Sequence, residues 1–205
     1  GTMSAASELN GLDFGLTADR YEPQFVAGQE YPFDEFENVV CPLDYFTEPL
    51  KSALYNKVGR PEEKRAIEPI CGKVHYDIEG AAQGVWFAGR KSRESQILDL
   101  ALVYDNIDPT EGVVSMGRGL ESLGIEANTL HFVPQKNGKV NREFKDVTSD
   151  GNVYCYQFPN GIDYTILLKM EDEKTLRVGR GKDNICSENQ KVDFADTKNF
   201  VEFVR

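Results

Sequence analysis

Apolar and polar positions alternate through the last two-thirds of the chain and fall without period through the first forty residues. "KVHYDI" (73–78) puts Val74, Tyr76 and Ile78 on one face and His75 and Asp77 on the other, the period of two that marks a half-buried strand. "VWF" (85–87) follows, and further strand-like segments fall at 97–104, 112–116, 129–133, 140–147, 152–158, 163–170, 174–178 and 199–204. In "NVYCYQF", Tyr154, Tyr156 and Phe158 oppose Val153, Cys155 and Gln157. In "YTILLKM", Tyr164, Ile166, Leu168 and Met170 oppose Thr165, Leu167 and Lys169. One face is strongly apolar and the other mixed, which suits a barrel or a half-open barrel with a filled interior. Asn137-Gly138, Asp150-Gly151 and Asn160-Gly161 are signals for two-residue hairpins with positive φ. No helical period separates these segments. The pattern therefore predicts an all-β, antiparallel up-and-down barrel of eight to ten strands over 70–205.

Residues 1–69 read differently. "TEPLKSALYNKV" (47–58) carries Leu50, Leu54 and Val58 on one stripe, with Thr47 as N-cap and Gly59 as stop, and predicts a helix. A second helical turn is expected in "PEEKRAIE", ending before Pro69. Scattered aromatics between Phe14 and Phe36 suggest an irregular extension pinned onto the barrel by short docked pieces.

Charge sharpens that division. The net charge is −11, and residues 1–50 hold ten acids and one base, so the leader is acidic and the rest near neutral. Such a balance argues against nucleic-acid binding, which needs clustered Lys and Arg. No apolar run of about 18 residues exists, so no membrane span is expected. The opening "GTM" reads as a cloning remnant, so a removed secretory signal would leave no trace here. Nothing in the pattern specifies an oligomer.

Four cysteines, Cys41, Cys71, Cys155 and Cys186, lie far apart without a C-x-x-C pair, so a zinc site is not expected. Four cysteines allow three pairings. The simplest is Cys41–Cys71 with Cys155–Cys186, which would imply a periplasmic or secreted protein; four reduced thiols in a cytosolic protein are the alternative.

Candidate chemistry is sparse. Asp105, Asn106, Asp108 and Glu111 sit between two apolar strands and resemble an oxygen-rich calcium loop, but the spacing is not that of an EF-hand. Asp108-Pro109-Thr110-Glu111-Gly112 is a good turn, and a structural turn is the preferred reading. His75 and His131 are the histidines of the chain. Either, with a carboxylate, would make a general base for a hydrolase, although no G-x-S-x-G elbow is present. A glycosidase pair among the many acids finds no support in spacing. "GRGLESLG" (117–124) reads as a mobile loop and lid, and "VGRGKDN" (178–184) as a loop with a basic spot at Arg180 and Lys182.

Gly84-Val85-Trp86, with the single tryptophan, and Arg205 at the end of "NFVEFVR" resemble the G-x-W and late basic residue of the calycin superfamily, the lipocalins and their relatives. That resemblance implies a barrel end packed by Trp86 with the Arg205 cation over its face. A wider frame is similar to that of uncharacterised exported bacterial proteins with no assigned activity. It comprises "CPLDYF", "CG", "GAAQGVWF", "LALVYDNIDP", "VNREFKDVT" and "VYCYQF". Together these readings favour a non-catalytic barrel, without cofactor, binding a small and partly apolar ligand in its interior or mouth. Gln83, Trp86, Tyr104, His131, Tyr154, Tyr156 and Tyr164 are the candidate contacts. A filled barrel acting as a surface adaptor or envelope component, and a hydrolase using a His–carboxylate pair, are the alternatives.

Overall fold

The structure, a computed structural model, describes residues 15–18, 26, 39–73, 76–88, 99–159, 161–181, 186–188, 194 and 199–205. Two short strands, β1 (Leu16–Thr17) and β2 (Val39–Val40), pair with each other. A helix, α1 (Leu50–Tyr55), follows. Eight strands then build one antiparallel sheet: β3 (Gly84–Phe87), β4 (Asp99–Tyr104), β5 (Gly112–Met116), β6 (Asn128–Phe132), β7 (Tyr154–Tyr156), β8 (Thr165–Asp172), β9 (Thr175–Gly181) and β10 (Phe200–Val204).

Their order, β6-β5-β4-β3-β10-β9-β8-β7, makes the first and last strands of the meander neighbours. The two edges, β6 and β7, are consecutive in the chain and face each other across a seam, so the barrel is nearly closed. Alternation decides what enters it. Leu100, Leu102, Val114, Leu130, Tyr156, Ile166, Leu168, Leu176, Val178 and Phe203 point inward and are buried. Each such side chain contributes about 1.5–3 kcal/mol on leaving water. Trp86, wholly buried, joins the same cluster.

The seam is bridged by the chain between its own edges. Gln135 N–H donates to the Asn141 carbonyl at 2.7 Å, and Glu143 N–H to the Gln135 carbonyl at 3.1 Å. On the other side, Asn141 N–H donates to the Cys155 carbonyl and Cys155 N–H to the Lys139 carbonyl, both at 2.8 Å. Residues 139–143 thus form a strap running parallel to β7. Asn141 adopts a left-handed φ of 51°, and its Oδ1 accepts from Gln157 N–H at 2.9 Å.

Disulfides join Cys41 to Cys71 and Cys155 to Cys186. The second lies on the outer face of the sheet, where Cys155, Leu167 and Phe194 form a smaller apolar cluster. Among the described residues no helix is long and apolar enough to cross a membrane.

Several expectations are corrected. The 47–58 helix shrinks to Leu50–Tyr55: Pro49, not Thr47, precedes its first turn and supplies no side-chain cap, and Leu50 is exposed. The segment 140–147 is the strap and a 3-10 turn, Phe144–Asp146, whose Phe144 enters the core. "GRGLESLG" is a 3-10 helix, Arg118–Leu123, pinned by buried Leu120 rather than a loose lid. Residues 178–181 belong to β9, and Arg180 is engaged with Asp163 at 3.5 Å; Lys182 lies outside the described residues.

The described residues of "KVHYDI", 73 and 76–78, are not a strand, and the buried member is Asp77. The reason is pairing: Asp77 accepts from the N–H groups of Val85 at 2.9 Å and Val26 at 2.8 Å. Val74 and His75 lie outside the described residues. Gly138, Gly151 and Gly161 do adopt positive φ, but in longer connections. The two-residue hairpin is Glu173-Lys174 between β8 and β9, capped by Asp172.

Candidate functional site

The 105–111 turn is built by its own acids. Asp105 Oδ1 accepts from the N–H groups of Ile107 at 2.7 Å and Asp108 at 2.8 Å. Asp108 Oδ1 accepts from the Thr110 hydroxyl at 2.6 Å and N–H at 3.0 Å. Those two bonds, the hydroxyl first, hold the Asp108 carboxyl below its usual range. Asn106 Oδ1 accepts from the Tyr76 hydroxyl at 3.3 Å, and Glu111 turns away to His131. Asp105 and Asp108 thus serve the turn's own N–H and hydroxyl groups, Asn106 faces Tyr76 and Glu111 faces His131, an arrangement that matches the turn reading.

The segment ahead of the barrel docks on this turn. Arg65, 6% exposed, donates from Nη1 to the Asn106 carbonyl and from Nε to the Pro69 carbonyl at 2.9 Å. Gly72 adopts a φ of 77° and lies so near the Asn106 amide that any side chain there would overlap it. Arg60, held in a tight turn by reciprocal backbone bonds with Glu63, reaches Asp105 Oδ2 with Nη2 at 3.3 Å.

Of these residues Arg60 and Glu111 reach the rim of a cleft of about 930 Å³ along the free edge of β6. Thr129, Leu130, His131 and Phe132 line it, continued by Val133. The opposite wall comes from Asn141 of the strap and from Gln157, Phe158, Pro159 and Ile162 around the end of β7. Arg60 and Glu111 complete it. Alternation sends Leu130 and Phe132 inward, while Thr129 and His131 take the outer face. Phe132 packs edge-on against Tyr156 at 5.1 Å and Phe158 at 6.3 Å between ring centroids, so aromatic rings close the base of the cleft.

His131 is the candidate contact that the structure places in this cleft. Its Nδ1 lies 3.0 Å from Glu111 Oε2 and 3.8 Å from Asp105 Oδ2. The hydrogen bond to Glu111 fixes the imidazole's orientation, with the Asp105 carboxylate next to it beyond hydrogen-bond reach.

The other candidates lie elsewhere. Trp86 is enclosed, donating from Nε1 to the Ala82 carbonyl at 2.8 Å. Arg205 lies over its ring at 4.0 Å. The Arg205 guanidinium also donates to the carbonyls of Gln83 at 3.0 Å, Ile78 at 2.8 Å and Ala81. Burial pulls its pKa down, with Asp77 and Glu79 opposing. Gln83 donates from Nε2 to the Tyr76 carbonyl at 2.7 Å, serving a backbone group.

Tyr154 donates to Asp150 at 2.7 Å and Tyr156 to the Arg142 carbonyl at 2.9 Å, both from inside the barrel wall. Burial raises the Tyr104 and Tyr164 phenols, and Arg180 lies 4.8 Å from the Tyr164 ring centroid; neither tyrosine lines the cleft. Sequence reasoning missed Arg60, Asn141, Gln157 and Ile162 as site residues. Arg60 follows a helix-stopping glycine and carries no motif. Asn141 betrays itself only through a left-handed backbone that "KVNRE" does not announce. No protein family, curated protein or solved structure matches the chain.

Proposed function

We propose that this chain is a non-catalytic binding protein whose small, partly apolar ligand lodges in the seam cleft rather than deep inside the barrel. The observation that carries the reading is the division within the cleft. Its base is Leu130, Phe132, Phe158 and Ile162, and its rim gathers Arg60, Glu111 and His131. An apolar base with a few convergent polar groups is the usual make-up of small-molecule sites, which run to about 300–1,000 Å³. The interior itself is packed with Trp86, Tyr156 and the aliphatic cluster, which favours the seam over the axis. Two disulfides support an oxidising compartment, hence a periplasmic or secreted protein. The stacked Trp86–Arg205 pair, following G-x-W in sequence, supports kinship with the calycins.

A fluorescence titration with the neutral probe N-phenyl-1-naphthylamine tests the reading. Saturable binding, lost in Ile162→Arg and accompanied by amide shifts along 129–133, is the expected result. Binding undiminished in Ile162→Arg, or shifts confined to other strands, would discard the seam as the site.

One observation favours a second reading. The His131–Glu111 pair has the geometry of a carboxylate-oriented general base facing an open cleft. Hydrolysis of a model ester that persists unchanged in His131→Ala removes it.

A further inference from the structure

We propose that the seam cleft selects organic cations: small molecules with one aromatic or aliphatic body and one ammonium group, the ammonium meeting Glu111. This rests on the reading of the cleft as a small-molecule site and names the ligand's charge. Three carboxylates gather at the rim and behind it. Arg60 is shared between Asp105 Oδ2 at 3.3 Å and Glu63 Oε2 at 3.4 Å. Glu111 is the third. Even with the Arg65 guanidinium, buried behind the turn on two carbonyls, two cations against three carboxylates leave negative charge in excess, before the chain's overall −11 is added.

An incoming carboxylate would have to take Arg60 from its two partners while facing all three acids. An ammonium meets no such opposition. Glu111 has one oxygen, Oε2, engaged with His131. Its side chain is 43% exposed, and Oε1 takes no hydrogen bond among the described residues. The apolar base suits the same ligand. Phe132 and Phe158 stand edge to face at 6.3 Å and offer the ligand's aromatic or aliphatic body an aromatic lining. Glu111 leads out of the Asp108 turn and His131 sits opposite Val113 on β6, so the acid is held at the open end of that edge by β5–β6 pairing.

The experiment compares three probes of one body, phenethylamine, phenethyl alcohol and phenylacetate, on the full chain at neutral pH. Calorimetry reads affinity, and amide shifts along 129–133 read location. The amine is expected to bind about three- to five-fold tighter than the alcohol, the size of a partly exposed charge pair. Phenylacetate is expected to bind weakest. Glu111→Gln should erase the amine's advantage over the alcohol, while Arg60→Gln should enlarge it. Tightest binding by phenylacetate, or an unchanged preference in Glu111→Gln, overturns the proposal. Equal binding of all three at the seam also overturns it but leaves the small-molecule reading standing. No seam shift from any probe at millimolar concentration defeats both. Capture of an oligolysine peptide without the amine would assign the cleft to a basic chain instead.

Discussion

Asn141 is one residue doing two jobs. Its backbone holds a left-handed φ of 51°, which asparagine tolerates better than alanine, and its Oδ1 serves the Gln157 N–H. Asn141→Gly should therefore lose only the side-chain bond, about 1–3 kcal/mol for a half-buried donor left unpaired. Asn141→Ala should lose about 1 kcal/mol more, for forcing a β-carbon into the left-handed region. Urea denaturation of both variants checks the order, and equal losses would mean the strap relaxes its backbone. Tyr154 adds a pH-dependent case. Burial first, then its bond to Asp150, pushes the phenol up to about 12 from 10.0. The folded state thus keeps a proton that the unfolded chain sheds. That stability is present below about pH 10 and is lost as pH rises toward about 12. Tyr154→Phe should flatten the fall in unfolding free energy over that interval, measured against the parent chain.

At the level of elements, alternation was a sound guide where strands have one wet and one dry face. It put Tyr154 and Tyr156 together, and Ile166 with Leu168 and Met170, all of which enter the core. It misread "KVHYDI" because a buried carboxylate with two backbone donors looks like any polar position in a linear pattern. It misread 140–147 because Val140 and Val147 sit seven residues apart on a strap and a 3-10 turn, where no ladder enforces the period. The cleft was largely illegible: it is formed where β6 and β7 fail to pair, and strand patterns announce pairing, not its absence. Gly112 shows how closely that region is packed. It faces Phe132 across the β5–β6 ladder, and a β-carbon there would overlap the Phe132 ring. Gly112→Ala should cost about 1–3 kcal/mol by overpacking and displace the ring that closes the cleft. The expected signature is a lowered melting temperature together with weaker naphthylamine binding. A fall in stability with binding intact would separate the ring from the site.

Taken whole, the molecule is two four-stranded meanders, β3–β6 and β7–β10, joined along β3–β10 on one side and by the strap on the other. The joints differ in make-up. Five registered pairs link β10 to β9, but a single pair, Val204 with Phe87, links β10 to β3 among the described residues. Arg205 stands at that sparse joint and ties it through three carbonyls and the Trp86 ring. Arg205→Met should strip the Ala81 carbonyl of its donor, leave the Gln83 and Ile78 carbonyls with only the N–H groups of Ile78 and Ala81, and lower stability by about 2–4 kcal/mol, with amide exchange rising first along β3 and β10. Uniform acceleration over all eight strands would instead mark a global loss.

The sparse joint also bears on how the two halves move. A cylinder thin along two opposite lines has two places to give. Arg205 secures one and Asn141 the other, so weakening Asn141 is expected to widen the slot beside it before either four-stranded shell is disturbed, read as amide exchange rising first at 139–143.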